Sequence, residues 1–262
     1  SVRSLVLVMG VVGTAVAEVL ASAHYVESRD GRDGPVPDDR EFWSGQRYCF
    51  VNVCIPYSPS FAKDVEDLVE RCQYDFGRQP IVIVHSTVPV GTTRALLRCR
   101  AVHSPVHGVH PDLIRGLRTF PKYVGGAEKR SVAEVVNFLR AANIPAEPVS
   151  SPEVSEASKL WLTTGYAWNI LLCKEIKRYC EANGLPFDDM YVKAVRDYNE
   201  GYAKLGRPEV AWPILTPTPG PLGGHCLRPN AALLDARVAK IVRDWSDGYQ
   251  DELGDGGVTS AE

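Results

Sequence analysis

The sequence predicts an α/β fold: a shortened parallel-sheet domain over residues 1–150, then an all-helical domain over residues 151–246 built on a long central helix. Short, continuously apolar runs such as Ile81-Val82-Ile83-Val84 stop at turns rich in glycine, proline and hydroxyls, as strands buried on both faces do. Amphipathic stretches separate them, the alternation of a doubly wound sheet. From Pro152 the pattern changes to one long helix with apolar residues on nearly every face.

The first element is a strand over residues 4–9, continuously apolar after Ser4 and ending at Gly10. Gly10-Val11-Val12-Gly13 leads into a small-residue helix through Ala21, and residues 24–27 form a second strand closed by Ser28-Arg29-Asp30. Strand, glycine turn, helix and strand, with an acid after the second strand, form a dinucleotide-binding pattern. Gly10, Val12, Gly13 and Asp30 are therefore candidate cofactor contacts, although Val8 stands where the first glycine of the full fingerprint belongs. The bland alternative is a tight turn. Arg3, the apolar run and Ala21-Ser22-Ala23 also imitate a signal peptide. Glu18 inside the run argues for reading the segment as structure.

Residues 31–46 are polar and read as a loop. Residues 47–55 form a buried strand, and a helix begins at Ser58-Pro59-Ser60 and runs to about Tyr74. After the strand at residues 81–84 comes Ser86-Thr87-Val88-Pro89-Val90-Gly91-Thr92-Thr93, at the strand end where open α/β sheets bind ligands. The alternative there is a helix-capping turn. His103, His107 and His110 follow within a proline- and glycine-interrupted stretch. With no regular element to fix them they are not expected to hold a metal; they are expected to line a polar pocket or cap the strand end. A strand at 122–125, a helix at 131–142 and residues 144–148 complete this domain.

Ser151-Pro152-Glu153 opens the long helix, which runs to Asn183-Gly184. A helix apolar on all sides is buried centrally or in a dimer. Lys159 sits early in it, with Thr163 one turn on. It is either a snorkelling surface lysine or, walled by apolar side chains, a base. A second helix at 187–202 precedes the loop Pro219-Gly220-Pro221-Leu222-Gly223-Gly224-His225-Cys226. Pro229 suits the first turn of a helix over 231–243, so Cys226 stands just ahead of a helix N-terminus, where the dipole favours thiolate. The opposing reading is a small buried hydrophobe. Residues 247–262 form an acidic, frayed tail.

The 262 residues and net charge of −3 give no basis for nucleic-acid or anionic-membrane binding. Seven cysteines, an odd number without a paired framework, suit a reducing, cytoplasmic setting.

Taken in order, these motifs resemble the nucleotide-sugar 6-dehydrogenases that act on UDP-glucose and GDP-mannose. The matches are Gly10-Val11-Val12-Gly13, Val53-Cys54-Ile55-Pro56, the Ser86–Thr93 turn, His110-Pro111-Asp112-Leu113, Ser158-Lys159-Leu160 and the loop ending at Cys226. The resemblance implies a Rossmann-like domain, a helical centre that forms a homodimer, and NAD- or NADP-dependent oxidation of a small-molecule alcohol. It also implies Cys226 as nucleophile, Lys159 as the proton-transfer group, Thr87 near the reacting centre and the cofactor, and Pro56 beside the cofactor. Thr163 and Asn230 stand where that family has its asparagine and aspartate, and Arg115 where its catalytic glutamate falls. His103, His110, Arg115, Gly223, Gly224 and His225 become candidate substrate contacts. The sequence stops soon after the cysteine helix, so the family's third, nucleotide-gripping domain is not expected, nor is standard UDP-glucose 6-dehydrogenase activity. The expectation is a diverged NAD(P)-dependent oxidoreductase acting on a small alcohol, aldehyde or sugar derivative. The alternatives are a thiol transferase or lyase without redox chemistry, and a non-catalytic scaffold.

Overall fold

The computed structural model describes residues 2–7, 10–29, 48–72, 79–108, 111–224 and 226–250. The chain divides into two compact units, Ser1–Lys159 and Leu160–Glu262.

The first unit is a seven-stranded sheet in the order β2-β1-β3-β4-β5-β6-β7. The strands are β1 (Arg3–Leu7), β2 (Tyr25–Arg29), β3 (Phe50–Val53), β4 (Ile81–Val84), β5 (Arg100–His103), β6 (Lys122–Gly126) and β7 (Ala146–Val149). Helices α1 (Val11–Ala21), α2 (Phe61–Cys72), α3 (Leu113–Thr119) and α4 (Lys129–Ala141) connect them. Alternating side chains feed two cores. Val6, Phe50, Ile81, Ile83 and Val102 pack with residues of α1, α3 and α4. Leu5, Leu7, Val51, Val53, Val82 and Val84 pack with Phe61, Val65 and Val69 of α2. The central strands β1, β3 and β4 are thus buried on both faces, which is why their runs are continuously apolar rather than alternating, while the edge strands β2 and β7 are partly exposed.

The sheet is not wholly parallel. β5 and β6 pair antiparallel, with Val102 opposite Gly126 and His103 opposite Gly125, while β6 and β7 run parallel to each other. The reversal places Lys122, the first residue of β6, beyond the carboxyl end of β5. Helix α3, which the apolar pattern did not announce, fills the turn before it; the Asp112 side chain caps it by accepting from the Arg115 N–H.

Helix α5 (Pro152–Ala182) begins in the first unit and continues into the second. Its opening turns present Ser155 and Glu156, both fully buried, and the half-buried Lys159 at the spacing of one helical face. Gly125 of β6 lies directly beneath: a Cβ added there would come within 2.8 Å of the Ser151 carbonyl carbon and 2.9 Å of the Pro152 Cα.

In the second unit a π-helical turn, Asp188–Lys193, runs into α6 (Ala194–Lys204), where an uninterrupted α-helix was expected. The helix expected over 231–243 is also two: α7 (Leu227–Leu233) and α8 (Arg237–Asp247). The expectation started the helix too late because Pro229 needs only to be in a first turn, and α7 begins before it. Ala167 and Leu171 of α5 pack with Leu222, Ala231, Val242 and Tyr249. α5 is not covered all round. Trp161, Leu162 and Tyr166 are 50–59% exposed. Among the described residues no helix is long and apolar enough to cross a membrane.

Candidate functional residues in each unit

In the first unit, β1, β3 and β4 are parallel neighbours, so the segments that leave their carboxyl ends lie side by side. The chain leaves β1 for α1 and β2 on one side, and β3 continues the sheet on the other. This is the switch point where doubly wound sheets take ligands. Gly10 is the exposed N-cap of α1, with φ −62° and ψ 175°, no side-chain cap and no acidic residue in the first turn. That φ does not require glycine, and a Cβ added at Gly10 would meet nothing within 4 Å. Among the described residues no packing or backbone demand explains the glycine. What it leaves is open space over uncapped helix N–H groups, which suits a phosphate. Gly13 is buried in the same helix, and Val12 is half-buried.

Pro56 is exposed after β3, and Thr87 is half-buried after β4. Ser86 joins their segments by donating from Oγ to the Ile55 carbonyl at 2.6 Å. The turn beyond Thr87 is held from α5. Both Glu156 carboxylate oxygens accept main-chain hydrogens, from Gly91 N–H at 2.6 Å and Thr93 N–H at 2.8 Å. Burial raises the Glu156 carboxyl above its ordinary range, and the Thr93 and Gly91 hydrogen bonds oppose that rise. Gly91 has φ +94°, a conformation glycine adopts without strain.

Beneath these turns runs a buried polar network that the sequence did not single out. Asn52 donates to Ser4 Oγ and the Leu5 carbonyl, and its Oδ1 faces His85 Nε2 at 3.0 Å. Lys122, 1% exposed, donates to the Ser104 carbonyl at 2.6 Å and the Pro105 carbonyl at 2.8 Å. Burial brings its ammonium down to about 7, and the same cause holds His85 well below the imidazole range. A neutral His85 donates to one oxygen at a time, to Asn52 Oδ1 or to the Ser104 carbonyl. Cys54 is partly exposed as a residue, yet its thiol is deep enough that burial pushes it up to about 12.

The predicted residues separate into distinct groups. His103 is fully buried, with Nε2 donating to the Ser86 carbonyl at 3.1 Å and Nδ1 2.7 Å from Ser155 Oγ. Burial takes it down to about 3. Both ring nitrogens are engaged inside the unit and tie β5 to α5, which fits the strand-end capping that was expected as the alternative to a ligand contact. His107 is half-buried and brought down to about 4 by burial and the neighbouring Lys159 charge. Among the described residues no three metal-ligating side chains converge. Lys159 donates to the Val106 carbonyl at 2.9 Å. Arg115 lies exposed on α3. Asp30, His110 and His225 lie outside the described residues, as do Val8, the loop over 31–46 and residues 251–262 of the tail.

In the second unit, Cys226 is exposed and is the N-cap residue of α7, its carbonyl accepting from Asn230 N–H at 3.0 Å. The buried-hydrophobe reading of Cys226 is thereby excluded. Gly223 and Gly224 are exposed before it, Gly224 at φ +79°. Asn230 is 7% exposed, one turn into α7. Thr163 donates to the Leu160 carbonyl of its own helix at 3.0 Å. The six cysteines with described side chains are free thiols.

No protein-family model matches the sequence, and no curated protein matches it. Solved structures do match. A UDP-D-ManNAc dehydrogenase from Pyrococcus horikoshii has a TM-score of 0.72 at 20% identity, over 94% of this chain and 68% of that one. A UDP-glucose dehydrogenase from Pyrobaculum islandicum has 0.71 at 15% identity, over 94% and 68%. A 3-hydroxyisobutyrate dehydrogenase from Mycobacterium tuberculosis, solved with L-serine, has 0.64 at 16% identity, over 96% and 94%. At these identities the likeness shows a shared fold, the mixed α/β sheet with helical extension described above.

Proposed function

We propose that the chain is a diverged NAD(P)-dependent oxidoreductase acting on a small alcohol, aldehyde or sugar derivative. The observation that carries this reading is the uncapped α1 N-terminus under open space at Gly10, set at the switch point between β1 and β3. The residues present fit a dinucleotide. The first-turn amides of α1 would hold its diphosphate, with no nearby acid in that turn to repel it. Pro56 and Thr87 would border it across the neighbouring strand ends. The cofactor, when bound, would supply the two-electron acceptor. The dehydrogenase names of the solved structures with this fold support the class of reaction.

The protein's own groups have distinct tasks in this reading. Lys159 is the proton-transfer group, placed by its hydrogen bond to the Val106 carbonyl. Cys226 is a nucleophile toward a carbonyl carbon, its exposed thiol carried at a helix start. Its sulfur forms the new C–S bond while the carbonyl π pair moves to oxygen, which takes up the proton that the thiol gives up. A homodimer through α5 would cover Trp161, Leu162 and Tyr166, whose exposure is unusual for large apolar side chains in one patch. Light scattering should give twice the mass of the 28.8 kDa chain; a single-chain mass would remove this part of the reading.

Gly10→Asp tests the cofactor site. A Cβ there meets no described residue within 4 Å and aspartate is a favourable N-cap, so the melting temperature without cofactor should stay near that of the wild type. Its carboxylate would stand where phosphate binds, and affinity for NAD(H) or NADP(H) by calorimetry should fall at least ~10-fold. Wild-type protein that binds neither dinucleotide at millimolar concentration would overturn the proposal.

A further inference from the structure

The loop that delivers Cys226 is held by a lysine that the proposed chemistry does not use. Lys174, on α5, is 3% exposed. Its ammonium donates to the Gly220 carbonyl at 2.6 Å and, at closer range, to the Thr218 carbonyl. Nζ also stands 5.2 Å from the centroid of the Tyr249 ring, within reach of a cation–π attraction. Tyr249 is itself fixed: its hydroxyl donates to Glu175 Oε1 at 2.5 Å, and that same oxygen accepts from Trp245 Nε1 at 2.9 Å. A few residues on, Leu222 N–H donates to the buried Ser246 hydroxyl at 3.0 Å.

These contacts have a common feature. The loop contributes main-chain atoms, and α5 and α8 contribute the side chains that read them. Pro217, Pro219 and Pro221 carry no N–H, so alternate residues of the loop have no amide with which to join a ladder. Their neighbours' carbonyls must be satisfied by donors from elsewhere. Gly220, buried at φ +76°, turns its carbonyl toward the one buried ammonium of this unit that reaches the loop. A lysine is an effective clamp here because three hydrogens on one nitrogen can meet two carbonyls and leave the positive end toward a π face.

We propose that Lys174 is the positioning residue of the cysteine loop: by holding the Thr218 and Gly220 carbonyls it fixes where the chain emerges toward Cys226. Lys174 touches no reacting atom. This rests on the reading of Cys226 as nucleophile for its purpose, although the clamp can be measured without it.

Amide hydrogen exchange on the full chain tests the clamp. In the wild type, a peptide containing Thr218, Gly220 and Leu222 should exchange far more slowly than an unstructured segment. Lys174→Gln keeps a donor but removes the charge and shortens the reach. It should speed exchange of that peptide about 10- to 100-fold and leave α1 and β4 peptides unchanged. Lys174→Arg should restore most of the protection. The second readout is iodoacetamide labelling of Cys226 relative to the exposed Cys49 in the same molecule. The ratio should fall in Lys174→Gln and recover in Lys174→Arg. A wild-type loop that exchanges at the unstructured rate overturns the proposal, whatever the variants do. So does a folded Lys174→Gln with unchanged exchange and labelling. If wild-type Cys226 labels no faster than Cys49, the nucleophile fails and the exchange data still decide the clamp.

Discussion

Two buried lysines in the two units do the same mechanical task in different company. Lys122 holds the Ser104 and Pro105 carbonyls; Lys174 holds those of Thr218 and Gly220. Each serves a proline-bearing segment whose main chain cannot satisfy itself. The first unit adds a counterpart of opposite sign, since Glu156 takes two amides of the Ser86–Thr93 turn. It also crowds Lys122 with His85, His103 and Lys159, while the second unit sets Lys174 against the Tyr249 ring. The difference is one of surroundings: the first unit's lysine stands among other titratable groups, and the second unit's stands against a π face. Lys122 bears a burial cost that brings its ammonium down to about 7. The first unit therefore spends stability to keep polar groups at its strand ends, as functional sites do.

The largest effect should come from Glu156→Leu. It leaves the Gly91 and Thr93 amides buried without an acceptor, which should cost about 2–5 kcal/mol in urea unfolding. A loss under about 1 kcal/mol would mean that the turn is fixed by its own sequence and the comparison with Lys174 is empty. A smaller effect, but a diagnostic one, lies in the pH dependence. A lysine lowered in the folded state binds fewer protons there than in the unfolded chain between the two pKa values. Wild-type stability should therefore gain from Lys122 as pH rises from about 7 toward the ordinary lysine value of 10.5. Below pH 7 both states carry the proton and the penalty is constant. Lys122→Met should lack this increment. If both proteins show the same slope, Lys122 is not the strained group.

Much of the architecture was legible. The strand at Ile81–Val84 lies where its four apolar β-branched residues put it, and the helix from Pro152 follows its cap. Cys226 stands at a helix start, as Pro229 implied, although that helix is shorter than expected. The antiparallel turn of β6 was not legible, because an apolar run has no direction. Nor were Lys122, Glu156 and Lys174. Their partners are main-chain atoms distant in sequence, and a lone lysine or glutamate reads as surface. A signal did exist for Glu156: Ser155, Glu156 and Lys159 share the face of a helix whose other positions are largely apolar. For His103 the strand-end position left a ligand contact and strand-end capping both open, and only the structure shows its ring bonded to Ser86 and Ser155.

Gly125 bears no functional group, yet it works as the shim on which α5 is seated. Because the backbone at Ser151 and Pro152 rests against it, a single methyl group there would lift the start of the helix. Ser155, Glu156 and Lys159 would then move together, loosening His103, the Thr87 turn and the candidate proton carrier in one stroke. The alignment tolerance of the first unit's site is thus set by a residue that a search for reactive side chains would pass over.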